Sequence, residues 1–266
     1  MKIFLFGDGK WSKNQQRILN EISDIRLLVF DIDTTPDEAI AHYGTPDAAI
    51  ITASTENHFP LTKYFLECGT PVFCEKPIYL KTHHSEWFKN LIRLNEFIPP
   101  FMAGHQLTFD PIVSKLADES PVFFSSKRTG AIPRSEGAVM SLAVHDIAIA
   151  MHLFGHSEDI EFKVSGNQHT AQIVATWPGG MVADIYVQSI AQVQLRHAVV
   201  VTQSGKVHTM NPSCWSRTDL VREELLYFIS CVQNEGTPSR NGLIQALLVT
   251  DLAIKIRDKI ATQPTC

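Results

Sequence analysis

Glycine at positions 7 and 9 and serine at 12 give the spacing Gly-x-Gly-x-x-Ser directly after the apolar run Lys2–Phe6. At a turn from strand into helix, glycines permit tight backbone geometry and bring N–H groups close to a pyrophosphate, while a small third residue keeps helix and strand together. The turn Gly7-Asp8-Gly9-Lys10-Trp11-Ser12 is therefore a candidate phosphate cradle. Asp31 closes a second apolar run, Arg26–Phe30, at the distance where a carboxylate receives both hydroxyls of the adenine-side ribose. Such a charge repels a 2′-phosphate, so NAD is expected in preference to NADP. The alternative is a plain turn followed by a solvated aspartate.

Two further stretches lie where a parallel sheet presents its ligands, beyond the carboxyl ends of strands. Thr52-Ala53-Ser54-Thr55-Glu56-Asn57-His58 follows the run Ala48–Thr52, and Thr52, Ser54 and His58 are its candidate cofactor contacts. His58 is equally readable as a helix-start residue that packs locally. Phe73-Cys74-Glu75-Lys76-Pro77 ends the next run. A lysine held there can bond a substrate hydroxyl or a nicotinamide ribose, and Pro77 stiffens the turn that aims it, in either peptide isomer. Most lysines after a strand are merely solvated, so Lys76 alone proves nothing.

The elements that must position these residues alternate through the first hundred positions. Apolar runs at 2–6, 26–30, 48–52 and 71–74 are separated by segments of helical spacing at 14–22, 36–43, 58–68 and 84–94. That alternation predicts a parallel sheet with right-handed crossovers, a Rossmann-like α/β domain. Ile98-Pro99-Pro100 breaks the pattern, which sets the expected domains at 1–101 and 102–266. Beyond the break, helical signals at 111–117 and 137–154 precede alternating runs at 161–164, 170–177, 181–188, 196–202 and 206–210. These suit a mostly antiparallel open sheet in an α+β domain. Helices are expected at 220–234 and 241–260.

Bulk properties narrow the classes. The 266 residues suffice for two domains, and 44% hydrophobic with 19% charged residues is ordinary globular composition. A net charge of −5 argues against non-specific nucleic-acid binding, and no apolar run is long enough for a membrane span. The apolar N-terminus is too short for a signal peptide and reads as a buried strand, which points to the cytoplasm. Cys68, Cys74, Cys214, Cys231 and Cys266 have no CxxC spacing and suggest neither a disulfide framework nor zinc. His145, His152 and His156 lack a carboxylate or cysteine at ligand spacing, so no metal site is expected.

Taken together, these motifs resemble the Gfo/Idh/MocA family of NAD(P)-dependent oxidoreductases. The similarity runs from the glycine turn through Thr52–His58 and Glu75-Lys76-Pro77 to Gly104-His105-Gln106-Leu107-Thr108-Phe109-Asp110-Pro111. It continues in Gly137–Gly155, the Trp177-Pro178-Gly179-Gly180 turn and Arg222-Glu223-Glu224-Leu225-x-x-Phe228. The resemblance implies hydride transfer between the nicotinamide and a sugar, sugar nucleotide or related polyol. It makes Lys76 and His145 the catalytic pair, with a cofactor set of Gly7, Gly9, Lys10, Trp11, Ser12, Asp31, Thr52, Ser54, His58, Glu75 and Lys76. His105, Arg128 and Ser141 join Lys76 and His145 around the substrate. Arg128 would meet an anionic group, unless it forms a surface salt bridge. The family also implies a homodimer or homotetramer built through the second domain's sheet.

The departures matter. Where the family pattern often carries aspartates four residues before and three after the histidine, this chain has Ser141 and Ala148. Asp146 neighbours His145 but lies about 100° around a helix from it. The chain is also shorter than is usual for the family. A second reading is thus a cofactor-binding sensor or partner subunit with little or no dehydrogenase activity.

Overall fold

Lys2-Ile3-Phe4-Leu5-Phe6 has no polar face, and the strand it forms is covered on both sides, with Ile3, Phe4 and Leu5 wholly buried. In the computed structural model, which describes residues 1–94, 97–131, 135–210 and 217–263, this is strand β1 (Lys2–Phe6). It is followed by α1 (Lys10–Asn20), β2 (Arg26–Phe30), α2 (Pro36–Tyr43), β3 (Ala48–Ile51), α3 (Thr55–Glu67), β4 (Val72–Glu75), α4 (Thr82–Leu94) and β5 (Phe101–Gly104). The five strands pair in parallel in the order β2-β1-β3-β4-β5. The reversal of direction beside β1 opens a crevice at the strands' carboxyl ends, where such sheets take their ligands. Local chemistry sets the helix ends: Thr35 and Glu38 form a reciprocal capping box on α2, with Pro36 in its first turn.

A second sheet has the order β11-β10-β6-β9-β8-β7. Its strands are β6 (Pro121–Thr129), β7 (Glu161–Asn167), β8 (Thr170–Thr176), β9 (Val182–Gln188), β10 (Arg196–Thr202) and β11 (Val207–Met210). All pairings are antiparallel except β6 with β9. Alternation gives it two faces: Phe124, Ser126 and Arg128 of β6 are buried, while Phe123, Ser125 and Lys127 point the other way. Helices α5 (Pro111–Ala117) and α6 (Val144–Phe154) pack against each other, and α6 also packs on β6. Between β8 and β9, Gly179 and Gly180 take positive φ values of 94° and 89°, as the tight turn after Trp177 requires.

Two helices close the chain, α7 (Arg217–Gln233) and α8 (Leu243–Ala261). The chain forms two compact units, Met1–Gln106 with Arg217–Leu247, and Leu107–Ser216 with Leu248–Cys266. This differs from a single division after position 101, because α7 returns to the first unit. There Arg222 pairs with Glu21, the C-cap of α1, and the Phe228 ring meets Phe73 of β4 edge-on at 5.7 Å. The expected helix over 137–154 is likewise not uniform, since Val139–Ala143 is a π-helical turn leading into α6. No helix among the described residues is long and apolar enough to cross a membrane. Cys68, Cys74 and Cys231 are free thiols, while Cys214 and Cys266 lie outside the described residues.

Candidate nucleotide and proton-transfer site

Gly7 stands where only glycine fits. Its φ is +111°, and a Cβ there would lie 2.5 Å from the backbone nitrogen of Ala53. The turn is tied from three sides. Gly7 N donates to Phe30 O at 2.9 Å, Ser12 Oγ to Gly7 O at 2.6 Å, and Thr52 Oγ1 approaches the carbonyls of Phe6 and Gly7 at 3.2 and 3.3 Å. Gly9 is the N-cap of α1 and has open space where a side chain would stand, so the first N–H groups of that helix are approachable by an anion. Beside the turn lies a cavity of about 240 Å³, lined in part by Gly7, Asp31, Ile32, Pro36, Asn57 and Tyr64. Asp31 follows the last residue of β2 and is exposed, with Oδ1 accepting from Ile32 N at 2.7 Å. A cradle that a Cβ would fill, an open helix start and a carboxylate on the cavity wall fit the adenosine and pyrophosphate of NAD.

Lys10 is exposed at the start of α1. Trp11 instead turns inward, donating from Nε1 to Glu75 Oε1 at 2.5 Å. Gln15, one turn on, donates to the same oxygen at 2.6 Å, and Lys76 N reaches Glu75 Oε2 at 3.3 Å. Glu75 is buried, and that burial raises its proton affinity against the opposing pull of the Trp11 N–H and the Lys76 charge. The carboxyl is accommodated by Gly104 on β5, where an added Cβ would lie 3.0 Å from it. Glu75 is thus a buried strut that fastens the lysine turn to the nucleotide-binding helix. Lys76 itself is half-buried, and its bond to Pro77 is cis.

The structure favours the packing reading of His58 over the cofactor one and moves His105 inward. His58 is 2% exposed, with Nδ1 2.7 Å from Pro77 O and Nε2 2.9 Å from Ala53 O. Both ring nitrogens meet backbone carbonyls, so His58 braces the lysine turn against the β3 loop instead of meeting a cofactor. Burial lowers its proton affinity, the two carbonyls oppose this, and the Lys76 charge lowers it further. Ser54, by contrast, is exposed, and its hydroxyl accepts from Asn57 Nδ2 at 2.8 Å. His105, expected to line the substrate pocket, is 1% exposed. Burial, helped by the nearby Lys76 charge, pushes its pKa down to about 3, so it is a neutral interior group.

In the second unit, His145 is half-buried in the first turn of α6. Ser141, in the π-helical turn, is buried and donates from Oγ to Gly137 O at 2.6 Å. Ala148 is buried as well. Arg128 does not present itself to an anionic substrate, nor is it in a surface salt bridge. It is buried against Asp146, with Nε to Oδ2 at 2.8 Å and Nη2 to Oδ1 at 2.9 Å. Such a two-bond fork satisfies the carboxylate and holds the guanidinium in place.

Known proteins share parts of this geometry. Residues 12–96 match the Gfo/Idh/MocA family model, described as an oxidoreductase family with NAD-binding Rossmann fold. That segment, about a third of the chain, is what resembles the Gfo/Idh/MocA oxidoreductase family. An inositol 2-dehydrogenase of Rhizobium meliloti is 28% identical over 181 residues, 57% of this chain. The match spans only 54% of that relative's length. A probable dehydrogenase from Thermotoga maritima superposes with a TM-score of 0.80 at 18% identity, covering 97% of both chains. A scyllo-inositol dehydrogenase from Lactobacillus casei with bound NAD(H) and scyllo-inositol gives 0.78 at 14% identity, over 98% of this chain and 97% of that one. At such identities the structural matches establish the fold alone. The parallel and the mixed sheet are thus folded as in these dehydrogenase structures, and the NAD-binding Rossmann description applies to the matched segment 12–96.

Three partners of these candidate residues were missed in the sequence. Gln15 lies one helical turn from Trp11, so its reach to the same target was open to inference from spacing. Glu224 sits on the buried face of α7 among Leu220, Val221, Leu225 and Phe228, and a carboxylate in an apolar stripe is itself a signal. Burial and the Glu75 charge raise its proton affinity well above the usual range, against hydrogen bonds from the His105 backbone and the Asn241 side chain. The third is Asp146, whose partner lies 18 residues away on another element.

Proposed function

We propose that the protein is an NAD-dependent dehydrogenase that oxidises a secondary hydroxyl of a sugar, sugar nucleotide or related polyol. One observation carries the reading: Glu75 joins the nucleotide-binding helix, through Trp11 and Gln15, to the turn that bears Lys76. A lysine fixed to the cofactor-binding framework is suited to holding a reacting hydroxyl, which a solvated lysine is not. NAD, when bound, supplies the hydride acceptor. Gly7, Gly9 and Ser12 shape the turn for the pyrophosphate, and Asp31 takes the ribose hydroxyls and disfavours NADP. The Lys76 ammonium donates to the substrate oxygen, and the His145 imidazole accepts the hydroxyl proton during oxidation, returning it in reduction. By the same family resemblance, the protein assembles as a homodimer or homotetramer through the sheet of the second unit.

The similar proteins act on inositols and, in one case from Acidithiobacillus ferrooxidans, on UDP-N-acetylglucosamine. These set the first substrate panel. The test follows NADH absorbance while inositols, free hexoses and UDP-sugars are offered with NAD. Turnover on at least one, reduced in His145→Ala, is expected.

A second reading, a cofactor-binding sensor, is favoured by one feature: the positions of the two family aspartates hold Ser141 and Ala148, the first donating to Gly137 O and the second apolar. Tight NADH binding with no turnover across the panel selects it over the dehydrogenase.

A further inference from the structure

The pair Arg128–Asp146 has no part in the reaction as proposed, yet it is a buried ion pair within the described residues whose members are joined by two bonds. Arg128 is 6% and Asp146 1% exposed. Burying two charges is costly even when they are paired, and apolar residues of similar volume often serve stability as well or better. Cohesion alone therefore explains little, and what the pair adds is direction. Arg128 extends from the buried face of β6, a central strand bonded on both edges, so its guanidinium is a fixed reference. Asp146 immediately follows His145. Successive helical residues are turned by about 100°, so fastening Asp146 to the sheet fixes the direction in which His145 leaves α6.

The need for such a fixture is visible just upstream. Val139–Ala143 forms a π-helical turn, which carries more residues per turn than an α-helix and so shifts the rotational phase of the helix beyond it. His145 is the second residue of α6 after that shift. Where the family pattern often carries aspartates around this histidine, the chain has Ser141, bonded to Gly137 O, and buried Ala148. We infer that the Arg128–Asp146 pair is the positioning device for His145, setting its direction from the sheet. This rests on the reading of His145 as the proton acceptor. Arg128 and Asp146 are positioning residues, and neither is assigned contact with substrate.

The experiment compares the unmodified protein with Arg128→Lys, which keeps the charge but loses the fork, and with the double variant Arg128→Met/Asp146→Leu. The double variant removes both charges together and leaves no buried ion unpaired. Folding is checked by circular dichroism and NADH affinity. Two further readouts are kcat against KM and the imidazole carbon-bound proton resonance of His145, assigned by its absence in His145→Gln. The expected result is a folded double variant with unchanged NADH affinity, a shifted His145 resonance and a kcat lowered by roughly 10- to 100-fold, as misplacement of about 1 Å produces. Arg128→Lys should fall between. A folded double variant with an unmoved resonance and unchanged kcat overturns the inference. Full turnover in His145→Ala instead refutes the reading of His145 as base, and the His145 resonance still decides whether the pair aims the side chain.

Discussion

At the scale of single residues, the candidate set joins buried struts such as Glu75 and His58 to exposed groups such as Lys10, Asp31 and Ser54. The Asp31 carboxylate accepts from the N–H of Ile32 in its own loop. Its charge beside the cavity leads to the expectation that Asp31→Ala lowers the preference for NAD over NADP by about tenfold, equivalent to about 1.4 kcal/mol. Kd values for the two cofactors, taken by fluorescence titration, check this, and equal affinity of the unmodified protein for both removes Asp31 from the ribose site. Gly104 gives a test of the buried strut. In Gly104→Ala the new methyl meets a Glu75 carboxyl that Trp11 and Gln15 hold in place. The expected loss is about 1–3 kcal/mol in denaturant unfolding, as for other overpacked interiors. A variant as stable as the parent means that Glu75 is free to move. The tight turn at Gly7 and the place of Asp31 at the end of β2 were legible in the sequence, because both depend on type and spacing along one short segment. The partners of His58 and Arg128 were not, although local packing of His58 was one of its two readings, because each comes from a distant element: Pro77 O for His58, and Asp146 for Arg128.

At the scale of elements, the end of β5 collects groups whose protonation differs from that in the unfolded chain. His105 has its pKa pushed down from 6.5 to about 3, mainly by burial. Between those values the unfolded chain binds a proton that the folded one does not, so stability falls as the pH is lowered through the window. Glu75 and Glu224 act with the opposite sign. Their raised proton affinity means that the folded chain holds protons the unfolded one has released, so their contribution falls as the pH rises above about 4.5, toward each folded value. His105→Gln should thus lose less Tm than the parent on going from pH 6.5 to 4.5, as read by scanning calorimetry. An equal or larger loss indicates that the His105 imidazole is protonated in the folded state. The alternation of strands and helices was legible throughout, since apolar runs and turn residues report local structure directly. The π-helical turn was not, because residues 139–143 have ordinary helix-compatible side chains and the irregularity arises from how the segment packs.

At the scale of the whole chain, two sequential domains were expected and two units are observed, but α7 groups with the first unit across more than a hundred intervening positions. Apolar periodicity announces that a helix has a buried face, though not which sheet receives it. The second sheet leaves Val182, Phe123, Val201 and Val207 in one row across four neighbouring strands, on the face opposite to α6. If subunits associate there, the protein elutes as a dimer or tetramer in size-exclusion chromatography with light scattering, and Phe123→Asp shifts it toward monomer. An unmodified protein that is monomeric at micromolar concentration contradicts pairing through this face. The central claim, however, is that the nucleotide turn and Lys76 form one framework for nicotinamide chemistry. It is tested most directly by titrating NADH into Lys76→Met and measuring kcat on a turned-over substrate of the same preparation. The expected result is an NADH Kd close to that of the parent, with kcat lower by roughly 100-fold or more, the usual worth of a proton-handling group. Undiminished kcat in the folded variant would contradict it.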